Sequence, residues 1–211
     1  MKIKLTIEMR KTLLLITLGL VFNSNVIAHK VIGQIFLSND TINVTFRIPT
    51  NGFSGKINYA KLQRNVKYID SSGKQVKLNP DIATEIRFRF KGKSIRMISV
   101  PRKGWNSGIS LTNDNIFLRI VIDGNVKMFI YYYNVPIPVN SNGSAIGTEG
   151  DYLLRKGDEL LKCIENIKFE SIVKEYFSDC SDLVAKINER EMNRDYLEWI
   201  INFYNKNCGK K

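Results

Sequence analysis

Glu85-Ile86-Arg87-Phe88-Arg89-Phe90-Lys91-Gly92-Lys93-Ser94-Ile95-Arg96-Met97-Ile98-Ser99-Val100 decides the architecture. Ile86, Phe88 and Phe90 alternate with Glu85, Arg87 and Arg89, the two-residue period of a strand with one buried face. Lys91-Gly92 supplies a turn, and Ser94 to Val100 returns, so the unit reads as an antiparallel hairpin. The same pattern extends in both directions. Val31 to Leu37, Thr41 to Ile48, Val66 to Ile69 and Gln75 to Leu78 are strand candidates upstream, with Ser72-Gly73 as a turn; Ile116 to Ile122 and Val126 to Tyr133 follow downstream. Asp123-Gly124 between the last two predicts a two-residue turn at positive φ. Residues 134–150, rich in Pro, Asn, Ser and Gly, read as a long loop before a returning strand, Tyr152 to Arg155.

The period then changes. Phe169, Ile172, Val173, Tyr176 and Phe177 share one helical face; Leu183, Val184 and Ile187 follow Asp179, read as an N-cap, and Tyr196, Leu197, Ile200, Ile201 and Tyr204 form a last stripe. The fold class is therefore α+β. An antiparallel β meander over residues 29–156, a sandwich or an open barrel-like sheet, carries a small helical segment, 157–211, packed on it.

Three cysteines, Cys163, Cys180 and Cys208, all lie in or near the helical part. Cys180 opens one helix and Cys208 follows the next, so antiparallel helices would bring these two together as a disulfide and leave Cys163 as a buried thiol. The amino terminus supplies the oxidising compartment. Lys2, Lys4, Arg10 and Lys11 precede an apolar run, Leu13 to Phe22, and Val26-Ile27-Ala28 suits cleavage, which makes residues 1–28 a signal peptide and His29 the first mature residue. No further apolar stretch provides a transmembrane anchor, so export to the periplasm or beyond is expected.

Composition closes many chemistries. With His29 the one histidine in the chain, Ser-His-Asp and Cys-His catalysis would have to recruit the amino-terminal residue of the mature chain, and histidine-brace copper and common zinc sites lack ligands. GxSxG, GxGxxG and phosphate-loop patterns are missing as well. The expectation is no cofactor, no metal and no catalytic residue, with a carboxylate-dependent carbohydrate-active hydrolase as the enzymatic alternative.

The chain resembles a family of small exported proteins from Bacteroidota that has no assigned activity. The carrying residues are Gly33, Asp40-Thr41-Ile42, Val66 to Asp70 with Gly73-Lys74, Leu78-Asn79-Pro80-Asp81-Ile82, Ser99-Val100, Phe117-Leu118 and Asp123-Gly124. Tyr152-Leu153-Leu154-Arg155-Lys156-Gly157, Tyr176-Phe177-Ser178-Asp179-Cys180-Ser181-Asp182-Leu183, Tyr204-Asn205 and Cys208 complete the set; Ser181 stands where a proline is expected. The resemblance implies an exported β domain with a helical tail and assigns no site residue.

Charge supplies the functional expectation. The whole chain carries +12, and without residues 1–28 it carries +9, concentrated as +11 in residues 29–156 against −2 in residues 157–211. Arg87, Arg89 and Lys91 fall on one strand face, and Lys93, Arg102 and Lys103 extend it, with Trp105 as an aromatic neighbour. Such a face would bind an acidic glycan, lipopolysaccharide or an acidic envelope protein through contacts that weaken with salt. Nucleic acid is not expected in that compartment. A structural accessory role, docking by apolar surface on an envelope complex, is the third reading.

Overall fold

The computed structural model describes residues 28–52, 54–102, 115–140 and 143–209. Ten strands form one antiparallel sheet in the order β10-β9-β8-β7-β6-β5-β1-β2-β3-β4. They are β1 (Ala28–Leu37), β2 (Thr41–Pro49), β3 (Lys67–Ile69), β4 (Gln75–Lys77), β5 (Ala83–Phe90), β6 (Lys93–Pro101), β7 (Asn115–Ile122), β8 (Val126–Asn140), β9 (Gly143–Lys156) and β10 (Lys162–Ile164). A one-turn helix, α1 (Tyr59–Leu62), follows β2, and the tail holds α2 (Phe169–Tyr176), α3 (Ser181–Asn188), a 3₁₀ turn at Arg194–Tyr196 and α4 (Leu197–Asn207). The α+β expectation is met, and the meander departs from chain order once, where β5 pairs with β1 instead of β4.

That departure curls the sheet. In a flat sheet β4 and β5 would lie four strand spacings apart, roughly 19 Å, which the five residues between them could span only at nearly full extension. Those residues instead contain a turn, with Ile82 donating to the Asn79 carbonyl at 3.3 Å. The first strands therefore wrap round a core of Ile35, Phe46, Ile48, Leu78, Ile86, Phe88, Met97 and Phe117. The alternation in Glu85 to Phe90 decides which side faces inward: Ile86 and Phe88 are buried, while Arg87 and Arg89 stand on the convex face.

From β6 onward the sheet is apolar on both faces. Val126, Met128, Leu154 and Ile164 pack under the helical tail through Phe169, Val173, Phe177, Leu183, Ile187, Leu197, Ile200 and Ile201. Val100, Ile116, Leu118, Phe129, Tyr131, Leu153 and Cys163 cluster on the opposite face. Tyr196, read into the last stripe, lies in the 3₁₀ turn and is exposed. Cys180 and Cys208 form the expected disulfide, Cα to Cα 5.8 Å, and Cys163 is the buried thiol. Burial, reinforced by Asp151 and Glu165, pushes the Cys163 thiol up to about 11.

Three local readings are corrected. Residues 134–150 are mostly not a loop: β8 runs to Asn140 and β9 starts at Gly143, pairing as a long two-stranded ribbon. Pro136 and Pro138, which argued for a loop, share the strand parity of Tyr132, whose amide and carbonyl point away from β9, so neither proline removes a bond from that pairing. Gly124 is not at positive φ, and the turn holds three residues, Asp123 to Asn125. Its glycine serves close approach, since a Cβ there would lie 2.5 Å from Asn205 Nδ2. Finally, Cys180 occupies the N-cap of α3. The Asp179 carboxylate instead takes Lys156 Nζ at 2.8 Å and the Tyr204 hydroxyl at 2.5 Å.

Two carboxamides complete the β7–β8 ladder. β7 pairs with β8 only opposite Met128, Phe129 and Ile130. Just beyond one end, the Gln63 side chain donates to the Tyr132 carbonyl at 2.6 Å and accepts from the Tyr132 amide at 3.1 Å. Just beyond the other, Asn205 accepts from the Val126 amide at 2.7 Å and donates to its carbonyl at 3.0 Å. Each side chain does what a neighbouring strand would, satisfying backbone groups that burial would otherwise orphan.

Candidate functional site

The curl brings the tip of the β5–β6 hairpin towards the β8–β9 ribbon. Lys91 at φ 48° and Gly92 at φ 79° make the tight reversed turn, and Lys93 follows it. Facing them across a cavity of about 580 Å³ are Ile146, Gly147 and Thr148 of the ribbon, with Asn51, Lys56 and Ile57 of the β2–α1 connection on a further side. Phe90, Ile95, Tyr59, Tyr132 and Arg119 also line it.

Arg119 places a charged side chain in an otherwise apolar setting. It sits in the apolar run Ile116 to Ile122 and points to the face that carries Phe117. Two phenols hold it: Nη1 donates to the Tyr132 hydroxyl at 2.9 Å, and the guanidinium lies 5.2 Å from the Tyr59 ring centroid. Tyr59 and Tyr132 stack at 4.7 Å with 15° between their planes. Burial raises the Tyr59 pKa, with Arg119 pulling the other way, so the phenol stays neutral and the guanidinium keeps its charge. No carboxylate among the described residues lines the cleft, and none of Lys56, Lys91, Lys93 and Arg119 forms an ion pair with a described residue. Four cations thus face one cavity whose described lining holds no carboxylate, with Glu198, outside that lining, acting on Arg119.

The residues expected from sequence are only partly brought together. Lys91 and Lys93 belong to the cleft. Arg87 and Arg89 lie on the convex face, where Arg87 pairs with Glu85 and covers the Phe36 ring at 4.3 Å. Glu85 also takes Arg96 at 2.7 Å, and Arg96 reaches Asp123 at 2.7 Å. Burial opposes the Glu85 charge, yet Arg96 and Arg87 hold its carboxyl below the ordinary range. The convex stripe is in part neutralised. Arg102 lines a different cavity of about 410 Å³ with Arg64, Lys77, Asn79 and Asp81. Lys103 and Trp105 lie outside the described residues. Lys56, Tyr59, Arg119 and Tyr132 were missed, and the one legible signal was an arginine inside an otherwise apolar strand.

A carboxylate pair is present elsewhere. The Tyr133 hydroxyl lies 3.4 Å from both Glu149 Oε2 and Asp151 Oδ1. Burial first, then Asp151 and Glu149, raises the Tyr133 pKa. These carboxylates stand side by side at i and i+2 of β9, not opposed across a cavity as two-sided attack on a glycosidic bond requires. Comparison with known proteins returns no match to this chain, whether among protein-family models, curated proteins or solved structures.

Proposed function

We propose that this is an exported, non-catalytic binding protein that holds an acidic partner, of the acidic-glycan, lipopolysaccharide or envelope-protein kind, in the cleft between the hairpin and the ribbon. The observation that carries the reading is the set of four cations, Lys56, Lys91, Lys93 and Arg119, converging on one cavity with no carboxylate in its described lining. Export is supported by the leader-like residues before Ala28 and by the Cys180–Cys208 disulfide. Cleavage after Ala28 removes one residue, the partner of Pro49, from the end of β1. No helix among the described residues is long and apolar enough to cross a membrane.

The test uses the processed, oxidised protein. Its amino-terminal residue after export is expected to be His29. Capture of anionic ligands from a panel is expected to fall with salt and with K91Q and K93Q together, and to survive removal of Arg87 and Arg89. Loss of capture on the Arg87 and Arg89 substitutions alone would move the site to the convex face, and no capture of any anion at low salt would end the reading.

A further inference from the structure

The walls of the cleft narrow the class of ligand. Its cations are accompanied by apolar side chains: Phe90 and Ile95 on the sheet side, Ile57 in the β2–α1 connection and Ile146 on the ribbon. Ile146 is 78% exposed, and a large aliphatic side chain held in water opposite other apolar groups gains only if something apolar fills the space. The two tyrosines do not offer an open stacking platform, because Tyr59 and Tyr132 cover one another and Arg119 lies over Tyr59. A hydrophilic polyanion would satisfy Lys56, Lys91 and Lys93 but would leave Ile146 and the half-buried Ile57 as wet as before, while Phe90 and Ile95 are already buried.

We infer that the cleft takes an anionic amphiphile, a single molecule with a phosphate or carboxylate head and an acyl or alkyl body, with the head at Lys91, Lys93 and Arg119 and the body between Ile57, Ile95 and Ile146. This deepens the proposed binding role and rests on it. A cavity of about 580 Å³ is within the ordinary range for small-molecule sites. The two kinds of contact give separable signatures: the head contributes a salt-dependent increment, and the body contributes one that grows with chain length and does not respond to salt.

The experiment titrates the mature protein with hexyl, octyl and decyl phosphate below their micelle concentrations, and with inorganic phosphate, decanol and an oligogalacturonate as comparators. Affinity is expected to tighten about fourfold per methylene, the equivalent of ~0.8 kcal/mol per buried CH2. Added salt should weaken every alkyl phosphate by a common factor, K93Q should weaken them up to about fivefold, and I146S should flatten the chain-length slope while leaving the hexyl compound little changed. Oligogalacturonate bound as tightly as decyl phosphate, with no chain-length slope, would overturn the inference and leave the acidic-partner reading standing. Failure of every anion to bind would overturn both. Decanol equal to decyl phosphate would remove the anionic head from the ligand, and an unaltered slope in I146S would remove the body from this cleft. A parallel arm with vesicles containing anionic lipid separates the sources: binding to vesicles without binding to monomeric alkyl phosphate would overturn the single-molecule occupant.

Discussion

Replacing Gln63 by leucine tests whether a side chain can stand in for a strand. Gln63 is fully buried, its own carbonyl accepts from the Phe117 amide at 3.1 Å, and its carboxamide satisfies both backbone groups of Tyr132. Gln63→Leu keeps the approximate volume and the Phe117 bond and removes only the carboxamide. Two buried backbone groups are then orphaned, at about 1–3 kcal/mol each, and after the gain from added apolar contact the net loss is about 2–5 kcal/mol. For a domain of this size that lowers Tm by about 5–15 °C. Urea unfolding followed by far-ultraviolet circular dichroism measures it, with an unchanged m value as the sign that only stability has moved. Gln63→Glu sharpens the test. An ionised carboxyl can accept from the Tyr132 amide but meets the Tyr132 carbonyl with no proton to donate, and burial raises its folded pKa above the unfolded ~4.3. Its compensating bond is then fully present below the unfolded value and lost as pH rises through the folded one. The deficit of Gln63→Glu relative to wild type, measured at each pH, should shrink on acidification while that of Gln63→Leu does not. A leucine variant within about 0.5 kcal/mol of wild type, or two deficits that move together with pH, would refute the reasoning.

Other outcomes follow from the same structure. Asp179, Glu85 and Asp123 all have lowered pKa values: burial works against the charge of the first two, offset by Lys156 with Tyr204 and by Arg96 with Arg87, while Lys127 leads for Asp123. Their contribution is present above the unfolded carboxyl values near pH 4 and is lost as pH falls through the depressed folded values, so equilibrium unfolding between pH 7 and pH 2 should show stability declining only in the acid part. Lys156→Met keeps a long side chain but removes the ammonium that sits 2.6 Å from the Tyr176 carbonyl and within 4.8 to 5.3 Å of the ring centroids of Tyr204, Tyr176 and Phe177; a loss of about 1–3 kcal/mol in urea is expected. Cys180→Ser with Cys208→Ser should cost about 3–4 kcal/mol by the loop-entropy relation, and in the intact protein Cys163 should resist iodoacetamide at pH 8 until denaturant is added.

The strands were legible because their alternation survives folding unchanged: Ile86 and Phe88 are buried and Arg87 and Arg89 exposed, as the two-residue period requires. Elements that depend on partners distant in sequence were not. The three residues of β10 are too few to carry a period, and the ribbon was hidden by prolines that are harmless once only one edge of the strand is paired. The site was half legible for a related reason. Lys91 and Lys93 follow from the hairpin alone, whereas Lys56, Tyr59, Arg119 and Tyr132 meet them through the curl forced by the β1–β5 pairing. Asp179 satisfied the local preference for a helix cap and was recruited by Lys156 and Tyr204 instead.

The prolines of the ribbon have a further consequence. Beyond Tyr132 the β8 arm is paired on one side only, and its open edge would ordinarily present a row of amide donors to any extended chain it met. On that edge Pro136 and Pro138 have no N–H to give, so two successive rungs are missing where a recruited strand would need them. That edge of β8 is thereby a poor template for intermolecular sheet growth, and a Pro136→Val, Pro138→Val chain should be recognisable first by its tendency to aggregate.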